Sequence, residues 1–172
     1  MPSLVGSEMC IRDSPQGGGQ PADMGLIKPK GGGPPFSCSM VRLDRETGVV
    51  WHEGEGSLDM PFVVGASVEC EIDGARRLEA ARLHSGGHLL DAAMQAAGCQ
   101  LEPAKGYHFS AGPYVEYHGK LTPEEREVLL PKLQAEVERL VRQAIPTNIS
   151  IDSTGLRIVD VGGVACPCGG TH

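Results

Sequence analysis

Two histidines and, far along the chain, a cysteine with a third histidine are the side chains best suited to bind one metal ion. His84 and His88 are four positions apart in an Ala- and Leu-rich segment, so on a helix both imidazoles project from one face. Cys168 and His172 have the same spacing, but two glycines follow the cysteine and favour a tight turn. Sulfur and imidazole donors together favour zinc over magnesium or calcium. The predicted centre is one zinc ion held by His84, His88, Cys168 and His172.

Each half of this set has a plainer interpretation when taken alone. An H-x-x-x-H pair also fits two half-buried imidazoles on a helix face, and the terminal C-x-x-x-H fits a frayed end with an idle thiol. The prediction therefore depends on both halves occurring in one chain. Cys166 is a second thiol in the CPC sequence, but a C-x-C pair rarely reaches one zinc ion with good geometry. We expect it in the core or in the shell around the ligands.

A glycine run near the start is the third chemical feature, in residues 15–25 (PQGGGQPADMG). Gly17, Gly18 and Gly19 expose backbone N–H groups and admit a ligand closely, as in anion-binding nests, and the side chain of Gln20 adds a donor and an acceptor. A plain linker is the alternative. It is our interpretation of the second Gly/Pro stretch, residues 28–35.

Composition limits the partners that this chain can attract. Its 22 acidic and 15 basic residues give a net charge of −7, which argues against broad attraction to a polyanion but leaves room for a local basic groove. Aromatic residues are 4% of the chain, so stacking platforms for bases are scarce. The chain has no long apolar run and no signal-peptide pattern. We expect a protein of the cytoplasm, or of an organelle, with no membrane partner and no stable protein partner.

The long helix that must carry the histidine pair is predicted at residues 75–97 and ends at Gly98. Gly86 and Gly87 lie inside it, and each costs a helix about 1 kcal/mol relative to alanine. The close approach of another chain segment is the simplest reason for them. A second helix begins after Thr122 as N-cap, with a proline at its first position, and Pro131 should kink it or split it in two.

Short strands surround these helices, and the fold class predicted is α+β. Helices pack on a mixed or antiparallel sheet, with a partial small β-rich part at the N-terminal side. We expect residues 1–14 to be a non-native segment, 15–67 a partial β-rich part and linker, and 68–172 the zinc-binding domain, truncated at its C-terminal end. The strands are predicted at residues 39–43, 49–52, 68–72, 114–117, 148–151 and 157–161.

Three separated motifs together resemble the AlaX family of alanyl-tRNA editing proteins and the editing domain of alanyl-tRNA synthetase. They are HSGGHLL at residues 84–90, CGGTH at 168–172 and the GGGQ sequence within 15–25. The histidine pair also resembles the second additional domain of threonyl-tRNA synthetase. The motifs occur in the expected order over about 158 residues, which makes the resemblance far more specific than any one motif.

The resemblance implies a zinc-binding deacylase that removes serine or glycine wrongly attached to alanine tRNA. It places zinc on the four side chains named above, and it places the GGGQ loop in a small β-rich part. The partner implied is the acceptor end of tRNA(Ala) carrying a wrong amino acid. Four protein ligands would fill all positions of a tetrahedral zinc site. Zinc would then either shape the pocket, or gain an open position for catalysis by losing a ligand or becoming five-coordinate.

Further site residues are predicted from their positions along the chain. Tyr107, His108 and Ser110 lie in a polar stretch before a strand and are candidates for contacting the serine hydroxyl, with surface loop residues as the alternative. Contacts with tRNA phosphates are predicted for Arg76, Arg77 and Arg82, which equally fit a solvated helix face.

Two other functions stay open at this point. One is a fragment of a full alanyl-tRNA synthetase, in which ATP-dependent aminoacylation would accompany editing. The other is a non-catalytic zinc module that binds tRNA or a protein.

Overall fold

A computed structural model describes residues 13–56 and 62–172 of the chain. Residues 1–12 of the segment expected to be non-native, and 57–61 of the expected linker, lie outside the described residues. The described part contains two helices and nine strands: β1 Gly25–Pro29, β2 Phe36–Leu43, β3 Val50–Glu55, β4 Val68–Ile72, α1 Gly74–Ala96, β5 Pro103–Tyr107, β6 Tyr114–Tyr117, α2 Pro123–Arg142, β7 Thr147–Ile151, β8 Arg157–Val161 and β9 Val164–Pro167.

These strands form three sheets, and every strand pairing in the described part is antiparallel. The sheet orders are β3-β2-β1-β4, β5-β6 and β7-β8-β9. The predicted α+β class is confirmed, with antiparallel rather than mixed sheets. β4 pairs with β1 along its whole length and leads directly into α1, so it connects the N-terminal sheet to the long helix. The division of the chain at 67/68 remains a prediction.

The N-terminal sheet has its own core because β2 alternates buried and exposed side chains. Phe36 and Cys38 are buried while Ser37 and Ser39 are exposed, the period expected of a half-buried strand. The core comprises Ala22, Ile27, Phe36, Cys38, Val41 and Val50. This sheet supports the glycine run that precedes β1.

α1 lies between the other two sheets and presents one buried face to them. Asp73 caps it by accepting from the Arg76 backbone N–H at 3.0 Å, which satisfies one of the free donors of the first turn. Ala80, His84 and Gly87 are buried at intervals of three or four residues, the spacing of a single helix face. The helix contacts α2 and strands of both sheets. No helix in the described ranges is long and apolar enough to cross a lipid bilayer.

α2 begins with the predicted capping box between Thr122 and Glu125 and runs through Pro131 as one helix. Of the two predicted effects of Pro131, the split is wrong, and the kink stays a prediction. Leu140 is buried against α1, but Val128 and Val141 are 58% and 60% exposed. Only part of the apolar stripe of α2 is covered by α1.

Three strands were not predicted: β1, β5 and β9. The β5 sequence, PAKGY, has few residues that favour strands, and it is extended because it pairs with β6. The predicted strand 68–72 coincides with β4, 114–117 with β6 and 157–161 with β8, while β2, β3 and β7 extend beyond the predicted residues.

A buried ion pair holds the segment after the glycine run onto α1. Arg77 Nε donates to both carboxylate oxygens of Asp23, at 3.1 and 3.0 Å. The Asp23 side chain is 4% exposed and that of Arg77 28%. Asp23 also accepts from the Ser14 backbone N–H at 2.5 Å. The two parts of the chain are thus fastened together beside the glycine loop.

We expect Asp23→Ala to lower the free energy of unfolding by about 2–4 kcal/mol, because it removes a buried carboxylate that bonds the Arg77 guanidinium and the Ser14 backbone N–H. Urea unfolding followed by circular dichroism measures the change. Glu71→Ala is the matched control, since it removes a carboxylate from an exposed pair with Lys28 and should change stability little. Equal effects of the two substitutions would contradict this role of Asp23.

Candidate metal centre

The four predicted ligands converge on one point between α1 and the end of the chain. Potential ligand atoms of His84, His88, Cys168 and His172 all lie within 4.8 Å of one another. Cys168 Sγ is 3.3 Å from His84 Nε2 and 3.5 Å from His172 Nε2. The helix supplies two donors and the terminal loop supplies two. This cluster can hold one metal ion.

Each imidazole is turned by a partner on its other nitrogen, which leaves Nε2 for the centre. His84 Nδ1 donates to Gln20 Oε1 at 2.8 Å. His172 Nδ1 is 3.1 Å from Ser85 Oγ, and His88 Nδ1 is 3.4 Å from Cys166 Sγ. Such partners fix the ring orientation of metal-binding histidines. The expectation that Cys166 lies in the shell around the ligands agrees with this contact.

The chemistry of the donor set fits a zinc ion. His88 Nε2 is buried and has no hydrogen-bond partner among the described residues. A buried polar atom without a partner costs free energy, and a metal ion at the centre of the cluster would satisfy this nitrogen. Three imidazoles and one thiolate form a ligand set that zinc prefers.

Burial keeps the imidazoles neutral, so their lone pairs stay available. Desolvation, together with the neighbouring imidazoles, lowers the pKa of His84 to about 3. Desolvation likewise lowers the pKa of His172 to about 4, and it lowers the pKa of His88. Protons therefore do not compete with a metal ion near neutral pH.

The terminal loop reaches the helix because its glycines leave space. A Cβ on Gly170 would lie 2.2 Å from His84 Cε1, so only glycine allows the chain to pass there. The Gly170 backbone N–H faces Cys168 Sγ at 3.4 Å, and Arg157 Nη1 donates to the Cys168 carbonyl at 2.5 Å. The predicted Gly-Gly turn toward a common centre is present.

The glycine run lies against the same cluster. Gly19 adopts φ +77°, and a Cβ there would be 2.2 Å from the Gly106 carbonyl oxygen. Gly19 also accepts from the His108 backbone N–H at 2.8 Å. Gln20 is 3% exposed, and its amide joins His84 to the terminal loop. The run is therefore a packed part of the site, and the linker alternative does not describe it.

His108 is the most enclosed of the three candidates for contacting the serine hydroxyl. It is 5% exposed and stacks on His84 with ring centroids 4.3 Å apart. A Cβ on Gly87 would lie 2.4 Å from its ring, so the predicted close approach is confirmed at Gly87. Nothing lies within 4 Å of a Cβ on Gly86, and close approach does not explain that glycine.

A cleft of about 520 Å³ opens beside the cluster, between the glycine run and β5. Its lining includes seven of the predicted residues: Gly17, Gly18, Gln20, His84, His88, His108 and Cys168. Tyr107 and Ser110 are not among the lining residues. Tyr107 instead stacks with Phe109 and Tyr114, and Ser110 is exposed.

Comparison with known proteins gives this arrangement a family context. The alanine–tRNA ligase of Methanopyrus kandleri is 32% identical over 142 residues, which are 80% of this chain and 14% of the ligase. The ligase of Methanobrevibacter smithii gives the same identity over 146 residues. The alanyl-tRNA editing protein AlaX-L of Pyrococcus horikoshii is 25% identical over 177 residues, which are 92% of this chain and 41% of that protein. No protein-family model matches the chain.

The chain is a homologue of alanine–tRNA ligases and of an AlaX-type editing protein. The resemblance seen in its three motifs is thereby confirmed. The chain spans 14% of the length of the two ligases and 41% of the length of the editing protein.

The three arginines predicted to contact tRNA are not among the residues that line the cleft. Arg76 and Arg82 are exposed on α1, and Arg77 is paired with Asp23. The lysine and arginine side chains that do line the cleft, among the described residues, are Arg45 and Lys105. Both are exposed. Sequence reasoning missed them because one is in a hairpin turn and the other in an unpredicted strand.

Gly87→Ala and Gly86→Ala form a matched pair that tests the packing of His108. We expect Gly87→Ala to destabilise the protein by about 1–3 kcal/mol, because the added methyl group overlaps the imidazole. Gly86→Ala should stabilise it by up to about 1 kcal/mol through helix propensity. Thermal unfolding of both variants measures the difference. Equal gains in stability would show that His108 does not occupy the described position.

Proposed function

We propose that this chain is a zinc-binding aminoacyl-tRNA deacylase that removes serine or glycine from wrongly charged tRNA(Ala). The observation that carries the proposal is the convergence of three imidazoles and one thiol beside a cleft bordered by the glycine run. The proposal is supported by the 25% identity to an alanyl-tRNA editing protein, in an alignment that covers 92% of this chain.

The residues that would hold zinc are His84, His88, Cys168 and His172. A bound zinc ion would supply positive charge beside the cleft, where the ester carbonyl oxygen gains negative charge during hydrolysis. Around it, Ser85 and Cys166 orient two of the imidazoles. Since four protein ligands complete a tetrahedral site, the ion in this proposal acts on the shape and the field of the cleft.

Gln20 acts in this proposal as a positioning residue. Its Oε1 accepts from His84 Nδ1 and from the Thr171 backbone N–H, and its Nε2 donates to Thr171 Oγ1. The amide is thus engaged by the protein itself. Gly18 lines the cleft at φ +57°, and its backbone N–H is our candidate donor to the carbonyl oxygen.

The reaction proposed is the hydrolysis of one ester bond. The oxygen of a water molecule adds to the carbonyl carbon, and the bond from that carbon to the ribose oxygen then breaks. The ribose oxygen leaves as a hydroxyl after taking one proton, and the amino acid leaves as a carboxylate with the second proton released to solvent. No electrons are transferred to or from another compound.

Discrimination between serine and alanine would come from a polar contact that only the serine hydroxyl can complete. A pocket that hydrogen-bonds the serine hydroxyl leaves its own group unpaired when alanine is bound. His108 is our first candidate because it is buried, lines the cleft and stacks on His84. Tyr107 and Ser110 remain weaker proposals, since neither lines the cleft.

The ligase homologues favour a second candidate for the whole protein. Their identity of 32% over a segment that is 14% of their length fits an editing segment inside an alanine–tRNA ligase. An ATP-binding aminoacylation domain in the intact gene product would decide for this candidate. The chemistry proposed for the cleft is the same in both.

Release of amino acid from tRNA(Ala) charged with serine, glycine or alanine tests the proposal. We expect serine or glycine to be released faster than alanine. His84→Ala and Cys168→Ser should lose bound zinc and lower the rate at least about 100-fold, since even partners of metal ligands cost 10- to 100-fold when removed. Zinc content after dialysis is measured on the same samples. Cys99→Ser is the control, because this thiol is outside the cluster.

Equal release of all three amino acids would overturn the editing function. Binding of charged tRNA with no turnover, while zinc is retained, would select the non-catalytic module instead.

The proposed tRNA contacts can be counted through the salt dependence of binding. Because Arg45 and Lys105 line the cleft, we expect Arg45→Ala and Lys105→Ala each to reduce the slope of log affinity against log salt by about one. Arg76→Ala and Arg82→Ala test the arginines proposed from the sequence in the same way. Lys132→Ala is the control, an exposed lysine of α2. An unchanged slope for Arg45→Ala and Lys105→Ala would remove them from the tRNA path.

A further inference from the structure

Asp91 lines the cleft, and it is not one of the four residues of the metal cluster. Among the described residues that line the cleft, it is the single Asp or Glu. It follows His88 by three positions on α1, so both side chains project from the same face of the helix. Its side chain is neither fully buried nor exposed. A single negative charge therefore stands beside the imidazole cluster.

The Asp91 carboxylate is held in place at one of its two oxygens. Tyr117 of β6 donates its hydroxyl hydrogen to Asp91 Oδ1 at 2.7 Å. No other hydrogen bond to the Asp91 carboxylate is found in the described part of the chain. An ionised carboxylate offers about four acceptor positions, so Oδ2 keeps its capacity to accept. The side chain is oriented without being saturated.

No lysine or arginine of the described residues forms an ion pair with Asp91. Removing a carboxylate from water without a cationic partner is unfavourable. Desolvation raises the pKa of Asp91, whereas the hydrogen bond from Tyr117 lowers it. A ligand that brings its own cation would complete this site.

The substrate of the proposed function carries such a cation. An amino acid esterified to tRNA has a free α-ammonium group one carbon away from the carbonyl that must be attacked. We propose that Asp91 binds this α-ammonium group and so positions the ester carbonyl beside the imidazole cluster. This inference rests on the proposed function, because it concerns the same substrate in the same cleft.

The charges that line the cleft support this placement. Arg45 and Lys105 are its cations, and they suit the phosphates of the tRNA end. Asp91 is its only carboxylate and lies beside His88, on the side of the metal cluster. One anion beside His88 and two cations on the cleft lining match a substrate with one ammonium group and a phosphate backbone.

The test compares substrates with a free and an acetylated amino group, because acetylation removes the ammonium charge and leaves the ester. Asp91→Asn keeps an acceptor for Tyr117 and nearly the same volume while it removes the negative charge. We expect Asp91→Asn to lower kcat/KM on seryl-tRNA(Ala) by roughly 10- to 100-fold, the range of hydrogen bonds to charged groups. On N-acetylseryl-tRNA(Ala) the same variant should change kcat/KM less than about 3-fold.

Tyr117→Phe is the second variant, since it removes only the hydroxyl that orients the carboxylate. We expect a smaller loss on seryl-tRNA(Ala) than for Asp91→Asn, and again almost none on the acetylated substrate. Equal losses on the two substrates would assign Asp91 a structural role and overturn the inference. The wild-type protein gives an independent answer that needs no variant, since it should prefer the free amino group by the same factor.

Binding of a non-hydrolysable analogue separates this inference from the proposed function. The probe is adenosine carrying serine in amide linkage at the 3′ position, with its amino group free or acetylated. If the wild-type protein hydrolyses no charged tRNA, the deacylase proposal fails. A preference for the free amine that Asp91→Asn abolishes would still support ammonium binding, and equal affinity for the two analogues would refute it.

Discussion

The site depends on one side-chain amide that joins three distant parts of the chain. Gln20 Oε1 accepts from His84 on α1 and from the backbone N–H of Thr171 in the terminal loop, while Gln20 itself belongs to the glycine run. Because the amide is buried, each of its bonds would be costly to leave unmade. The same contact fixes which nitrogen of His84 carries the proton. Gln20 therefore couples the glycine run to both halves of the metal cluster.

Close packing at glycines is what allows these parts to meet. Gly170 lets the terminal loop pass over the ring of His84, Gly19 lets the glycine run approach β5, and Gly87 makes room for His108. In each case a methyl group would lie less than 3 Å from backbone or ring atoms, which a packed interior does not accommodate without shifts. Glycine is therefore required at these positions so that the segments can contact one another. The greater backbone flexibility of glycine is a consequence of that requirement.

The parts of the fold that could be predicted from the sequence are those determined by residues close together along the chain. Asp73 and Thr122 are caps, and the helices begin beside them. β5 was missed because its residues have weak strand propensity and its extension comes from pairing with β6. Pro131 does not split α2, and Leu133, Val137 and Leu140, which follow it, pack in the same core cluster as Ala92 and Ala93 of α1.

The residues of the site show the same difference between local and long-range signals. Spacing alone was sufficient to propose His84 and His88 as a pair, because a helix converts a separation of four into proximity. Ser85 is the helical neighbour of His84 and could have been suggested as a partner from its position. Asp91 could have been suggested in the same way, because it follows His88 by three positions on the same helix. Arg45 could not, because its place on the cleft is set by how β2, β3 and α1 are arranged in space. Long-range convergence carries no local signature.

In the proposed function an acidic chain acts on a polyanion, so the positions of its cations matter. With a net charge of −7, the protein repels tRNA at long range, and attraction is confined to local groups. Arg45 and Lys105 provide two such groups at the cleft, and neither is paired with a carboxylate across it, since Asp91 is held by Tyr117. In the proposed function the net repulsion favours specificity, because a nucleic acid whose end enters the cleft gains contact with Arg45 and Lys105.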